Sequence, residues 1–122
     1  MAPRRKTELR HPLSLPVVHI LLALADGARH GYAIKQAVED LSEGDIRLGP
    51  GTLYEAIQRL EDAAYIEETE VRDTPENGQA AQRRYYRLTP EGWSVLRTEV
   101  RHLARMVDRA RLYPRLRRGD LA

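Results

Sequence analysis

The stretch GPGTLYEAIQRLEDAAYI, residues 49–66, followed after a polar gap by RRYYRLT, residues 83–89, decides how this chain folds. Gly49 then Pro50 opens a helix, because proline at the first helical position loses no hydrogen bond and presets φ. Leu53, Ala56, Ile57 and Leu60 recur at i, i+3, i+4 and i+7, a core stripe, and the helix is expected to run to about Ala63. Tyr65 to Val71 and Tyr85 to Leu88 then alternate like paired strands. Between them Asp73 to Gln82 contains Pro75, Asn77 and Gly78, a loop too polar to pack. A helix running at once into a hairpin, with another helix before it, predicts an α+β fold, mainly α. The expected architecture is a winged helix-turn-helix with a two-stranded wing.

Outward from that stretch the remaining helices are legible. Ser14 is the expected N-cap of a first helix, with Pro16 in its first turn, and Leu15, Val18, Leu21, Leu22 and Leu24 follow at helical spacing until Gly27. A second helix begins near His30 and is expected to carry Tyr32, Ile34, Ala37, Val38 and Leu41 inward before Ser42 to Gly44 end it. Thr89-Pro90 starts a fourth helix as cap and first residue. In it Trp93, Leu96, Val100, Leu103, Val107 and Ala110 recur at steps of three and four, an a/d seam ending before Pro114. Self-association is the economical way to bury such a seam, so this helix is expected to make a homodimer. The chain thus divides into a basic arm, 1–12; a winged helix-turn-helix, 13–89; a dimerisation helix, 90–113; and a basic tail, 114–122.

Composition bounds the function. At 122 residues this is a single modest domain, too small for the deep pocket of a large enzyme. The absence of cysteine excludes disulfides, thiolate metal sites and cysteine nucleophiles. His11, His19, His30 and His102 are scattered, with no pair at metal-ligand spacing. Gly49-Pro50-Gly51-Thr52 lacks the lysine and preceding strand of a phosphate-binding loop. No catalytic residue, metal or cofactor is expected. The longest apolar run, Leu13 to Ala25, is interrupted by Pro16 and His19 and is shorter than a membrane span, so a cytoplasmic protein is expected.

Charge is more telling in its distribution than in its total of +2. Residues 1 to 11 carry Arg4, Arg5, Lys6 and Arg10 against Glu8, and residues 97 to 122 hold eight arginines against three acids. The middle of the chain is therefore net acidic. Basic ends suit contact with a polyanion, since neutralising phosphates releases counterions.

The outer face of the third helix is the candidate reader of double-stranded DNA. Gln58 can pair with adenine edges, Arg59 with guanine or phosphate, and Thr52 and Tyr54 with phosphate oxygens. Free amides at the helix start add donors for a phosphate. Glu55 and Asp62 oppose contact along the whole face, which concentrates it in the first two turns. On the hairpin, Arg72, Arg83, Arg84 and Arg87 are candidates for phosphate or minor-groove contacts. The plainer reading of such arginines is charge that keeps a strand edge from aggregating.

Three strings, taken in order, resemble the PadR family of transcriptional regulators over about residues 13 to 100. They are His30-Gly31-Tyr32-Ala33-Ile34; Gly51-Thr52-Leu53-Tyr54 with Arg59-Leu60-Glu61; and Arg84-Tyr85-Tyr86 with Leu88-Thr89 and Gly92. The resemblance implies a winged-helix homodimer that represses transcription at an inverted repeat and is released by an effector. It makes Thr52, Tyr54 and Arg59 DNA-facing and Arg83 to Tyr86 the return strand of the wing. One of Tyr85 and Tyr86 is expected in the core, because adjacent strand residues point to opposite faces. Where the family commonly has glycine after its third helix this chain has Ala63-Ala64, which leaves room for a turn unlike the usual left-handed cap. Compact relatives sandwich planar drugs between tryptophans at mid-helix. Here that position offers Leu103 and the sole tryptophan is Trp93, so any effector is expected to be an apolar small molecule near the dimer seam rather than a stacked one. The competing readings are a winged helix devoted to protein interaction, its acidic middle repelling DNA, and a relative of the MarR type, whose dimer interface draws on both termini.

Overall fold

The computed structural model describes residues 9–70 and 84–117. The order is α1 (Leu15–Ala23), β1 (Arg29–His30), α2 (Gly31–Leu41), α3 (Pro50–Asp62), β2 (Ile66–Thr69), β3 (Tyr85–Leu88) and α4 (Pro90–Ala110), then a short 3-10 turn at Pro114–Leu116. Helix α1 is the hub. It packs against both α2 and α4, and Val18, Ile20, Leu21, Ala23 and Leu24 are all buried. It is shorter than the run to Gly27 expected from its leucines. The Leu24 and Ala25 amides turn back to the Leu21 and Leu22 carbonyls, tightening the end into i→i+3 bonds. Ser14 occupies the N-cap position, although its hydroxyl makes no capping bond.

Helix α2 begins under a side-chain cap, the His30 imidazole Nδ1 accepting from the Ala33 amide at 3.2 Å. Gly31, Ile34 and Val38 form its buried stripe. Tyr32 and Leu41, expected inward, are instead exposed, at 62% and 47%. Tyr32 follows Gly31 by one helical step of 100°, which turns it away from the stripe.

Helix α3 starts from Gly49 with Pro50 at its first position, and Leu53, Ile57 and Leu60 are buried as their spacing requires. It ends in a Schellman turn: the Tyr65 amide donates to the Leu60 carbonyl and the Ala64 amide to the Glu61 carbonyl, both at 2.9 Å. Ala64 carries the left-handed conformation itself, with φ of 64°. The left-handed cap is thus kept without its glycine, at a steric cost of about 1–2 kcal/mol for a residue with a Cβ. The turn is stitched to the start of α4. Thr89 Oγ1 donates to the Ala64 carbonyl at 2.6 Å and accepts from the Gly92 amide at 2.9 Å, while the Thr89 amide donates to the Tyr65 carbonyl at 3.1 Å.

The wing is a three-stranded antiparallel sheet in the order β1-β3-β2, not the two-stranded hairpin expected. Arg29 pairs with Tyr86 and His30 with Tyr85, while Ile66 to Thr69 pair with Leu88 to Tyr85. A two-residue strand has no period to read, and its partner lies more than fifty residues away, so β1 leaves no local signature. Its presence makes β3 the central strand and explains why both tyrosines are buried rather than one. Tyr86 joins the hydrophobic core, and Tyr85 on the opposite face meets the His30 ring edge-on at 5.4 Å between centroids.

Candidate nucleic-acid interface

The residues expected to read DNA project from the side of α3 opposite Leu53, Ile57 and Leu60. Thr52, Glu55, Gln58 and Arg59 are all exposed there. Gln58 Nε2 donates to Asp62 Oδ1 at 3.2 Å, an i,i+4 contact that solvent or a ligand can replace. Tyr54 is half exposed, but its ring leans back over α2 rather than standing off the face. Its Cζ would lie 2.8 Å from a Cβ built on Gly31, so only glycine permits this approach.

The leaning ring builds a cleft of about 450 Å³, lined by His30, Gly31, Tyr32, Tyr54, Arg84 and Tyr86. It joins the N-terminus of α2, the first turns of α3 and the central wing strand. Of the expected site residues, the structure therefore brings Tyr54 and Arg84 to one place and leaves Thr52, Gln58 and Arg59 on the adjoining face. Arg72 and Arg83 lie outside the described residues. Tyr32 is the residue that sequence reading missed. The signal available for it was its place at the second position of a helix capped by His30, where side chains and free amides share one outlook.

The electrostatics of the wing are mixed. Arg87 Nε pairs with Glu67 Oε2 at 2.9 Å across the ladder, and Arg84 Nε lies 3.9 Å from Glu68 Oε1. The Arg87 pair is close and register-matched across the ladder, with both partners exposed. The Arg84 contact is long, and both partners are exposed, where such pairs contribute little. Arg84 makes only that long ion pair among the described carboxylates, and its side chain also hydrogen-bonds Tyr86. Burial pushes the Tyr86 phenol above its ordinary value, and the carboxylates of Glu61 and Glu68 push it further. Tyr86 therefore stays a neutral hydroxyl at physiological pH. Burial likewise raises the Glu61 carboxyl, with Glu68 adding repulsion.

The apolar stripe of helix α4 is buried unevenly. Leu96 is only 4% exposed and belongs to the chain's own core, and Leu103 packs against that core. Leu96 is thus not part of a free seam, contrary to its expected place in the dimer stripe. Trp93, Val100 and Val107 lie along or beside the same stripe, yet remain substantially exposed, with Ala110 half-buried. Among the buried residues of α4 is one carboxylate, Glu99, at 3% exposure. Its Oε2 lies 3.3 Å from His11 Nδ1, and the opposite ring nitrogen lies 3.4 Å from the Tyr65 hydroxyl. This bridge ties residue 11 to α4 and to the turn at the base of the wing.

Comparison with known proteins places this geometry in a family. The family profile described as "Transcriptional regulator PadR-like family" matches residues 20–98. A transcriptional regulator of Mycobacterium tuberculosis, Rv3488, is 40% identical over 87 residues, covering 70% of this chain and 73% of its own. A 37.1 kDa protein of transposon TN4556 in Streptomyces fradiae is 43% identical over 90 residues, or 74% of this chain; the chain spans only 23% of that protein's length. Among solved structures, a transcriptional regulator from Clostridium thermocellum superposes with a TM-score of 0.60 at 27% identity, covering 75% of this chain and 85% of its own. Bacillus subtilis PadR, solved in complex with operator DNA, shares the fold with a TM-score of 0.59 at 20% identity, over 71% of this chain and 47% of its own. The winged helix, the ordered motifs and the family match agree: this chain belongs to the PadR-like family of transcriptional regulators.

Proposed function

We propose that the protein is a sequence-specific DNA-binding repressor that acts as a homodimer on an inverted-repeat operator. In this reading Gln58 and Arg59 read base edges in the major groove. Thr52, Tyr54 and Arg84 hold phosphates on either side of the α2 N-terminus, with Arg72 and Arg83 adding wing contacts. The observation that carries it is the convergence of Tyr54 and Arg84 on one cleft beside the exposed face of α3. Two copies joined through Trp93, Val100, Val107 and Ala110 of α4 would set two α3 helices about one helical turn of DNA, roughly 34 Å, apart. An apolar small molecule bound near that seam would release the complex by changing the separation of the two readers.

A mobility-shift titration on the protein's own upstream DNA, repeated over a salt series, tests the reading. A retarded complex that weakens steeply with salt is expected. Arg59→Ala, if its guanidinium reaches a base, costs about 1–3 kcal/mol of affinity and relaxes specificity at one position of each half-site. Tyr54→Ala weakens binding to all sequences alike. If the purified dimer gives no shift at low salt, the DNA-binding reading fails. Sedimentation of Val100→Glu, compared with the parent chain, tests the α4 interface separately.

A further inference from the structure

A second groove, of about 730 Å³, runs between the C-terminal end of α1 and the outer side of α2, sharing His30 and Tyr32 with the cleft beside Tyr54. Its size falls in the range of about 300–1,000 Å³ typical of sites that seat anchoring groups. Leu22, Ala37 and Leu41 supply apolar walls, and Leu22 and Leu41 are both more than one third exposed. Asp26 and Asp40 line it as well. The Asp26 side chain is 83% exposed even though it meets Arg29 at 3.3 Å. The Arg29 guanidinium is also held by the Ala23 carbonyl at 2.7 Å, which leaves it little to offer a further ligand. An apolar floor with an acidic rim calls for a cationic, apolar occupant.

The chain carries such a segment at its own far end. Residues 111–117 read RLYPRLR, with three arginines and no acid. Leu112, Tyr113 and Leu116 are exposed large apolar residues at 72%, 65% and 43%. The segment is already folded: the Leu112 and Tyr113 amides donate to the Arg109 and Ala110 carbonyls at 3.1 Å, and the Leu116 amide to the Tyr113 carbonyl at 2.9 Å. Tyr113 caps the 3-10 turn that Leu116 closes, so the two apolar side chains flank one short turn with Arg115 between them. A turn ordered in advance gives up little conformational entropy on docking. Helix α4 has 21 residues, about 31 Å at 1.5 Å each, and Leu103 is its last residue packed on the chain's own core. Everything beyond Leu103 is held away from the parent body.

We propose that residues 111–117 of one copy dock into the α1–α2 groove of a second copy, Tyr113 and Leu116 entering it and the arginines meeting Asp26 and Asp40. The proposal rests on the homodimer reading above and deepens it: the dimer is an arm exchange as well as a helix seam. Because α2 also lines the cleft beside Tyr54, the docked tail would brace the partner's reading head.

The chain has no cysteine, so introduced thiols report without background. Asp40→Cys and Leu112→Cys are prepared separately, mixed, allowed to exchange and oxidised, with Glu55→Cys plus Leu112→Cys as control. The expected result is a disulfide-linked two-chain species from the first mixture and not from the control. In parallel, Tyr113→Ala/Leu116→Ala, which leaves the α4 seam intact, raises the dimer dissociation constant by about tenfold or more, as for interface anchors. Charge reversal at Arg115→Glu weakens the dimer, and the compensating Asp40→Arg restores it. A dimer by sedimentation that gives no cross-link above control, or whose dissociation constant is unmoved by Tyr113→Ala/Leu116→Ala, overturns the docking and leaves the dimer reading standing. A chain that sediments as a monomer at all concentrations overturns both.

Discussion

Gly92→Ala should destabilise this protein by about 2–4 kcal/mol, although in an ordinary helix the same change stabilises by about 1 kcal/mol. Gly92 is the third residue of α4 and is buried. A Cβ there would run into the Tyr65 carbonyl oxygen and lie 2.9 Å from the Tyr65 carbonyl carbon. Both atoms are backbone and cannot be turned aside as a side chain can. The carbonyl is also in use, accepting from the Thr89 amide at 3.1 Å. Moving it far enough to admit a methyl group strains the packing by about 1–3 kcal/mol. The same movement leaves the Thr89 amide unpaired, a further cost of about 1–3 kcal/mol where water cannot replace the bond. The usual helical gain offsets about 1 kcal/mol of this. Urea denaturation followed by circular dichroism, at fixed protein concentration, measures the result. With an m-value of about 2 kcal/mol/M the midpoint falls by about 1–2 M. Gly51→Ala is the internal control, since nothing lies within 4 Å of a Cβ at that site in α3. It should raise the stability slightly, by about 0.5 kcal/mol or more, and with it the midpoint. A Gly92→Ala protein as stable as its parent, or the same sign of effect at both glycines, would refute the idea that the Tyr65 carbonyl bars a side chain from position 92.

Ala64→Gly should stabilise by about 0.5–1 kcal/mol, the relief of a left-handed alanine less the extra freedom glycine has when unfolded, and a lower thermal midpoint would contradict it. Glu61→Gln should be more stable than the parent at neutral pH. Burial raises the Glu61 carboxyl, so the folded state prefers it protonated; that preference supports stability below its ordinary value of 4.5 and is lost as pH rises. The difference between Glu61→Gln and the parent should therefore shrink towards zero near pH 4, and urea midpoints that differ equally at pH 4 and pH 7 would exclude this cause. His11→Ala should cost about 1–3 kcal/mol by removing the described partner of the buried Glu99. In combination with Glu99→Gln the two effects should fall short of additive, and strict additivity would mean the contact carries no energy.

Much of the fold was legible because its signals are local. The helix starts at Pro50 and Pro90, the apolar stripe of α3, and strands β2 and β3 all follow from residues within a turn or two of one another. So does the exposure of Thr52, Gln58 and Arg59, which is what remains of α3 once its core stripe is assigned. The readings that needed correction concern positions whose fate depends on distant chain. Tyr32 looked like core until the α2 stripe proved to run through Gly31, Ile34 and Val38. Leu96 fits a seam by spacing, yet α4 lies over α1 and encloses it.

From its own residues, then, the sequence determined the four helices and the β2–β3 pair, their order, and the chemical character of the face that α3 turns outward. Periodicity, caps and prolines act over a few residues, and the backbone answers to them wherever it sits. Tertiary structure alone decided the three-stranded wing, the left-handed Ala64, the bridge of His11 between Glu99 and Tyr65, and the meeting of Tyr54 with Gly31 and Arg84. Each depends on surfaces that meet only when segments far apart in the chain pack together, and no local pattern encodes that meeting.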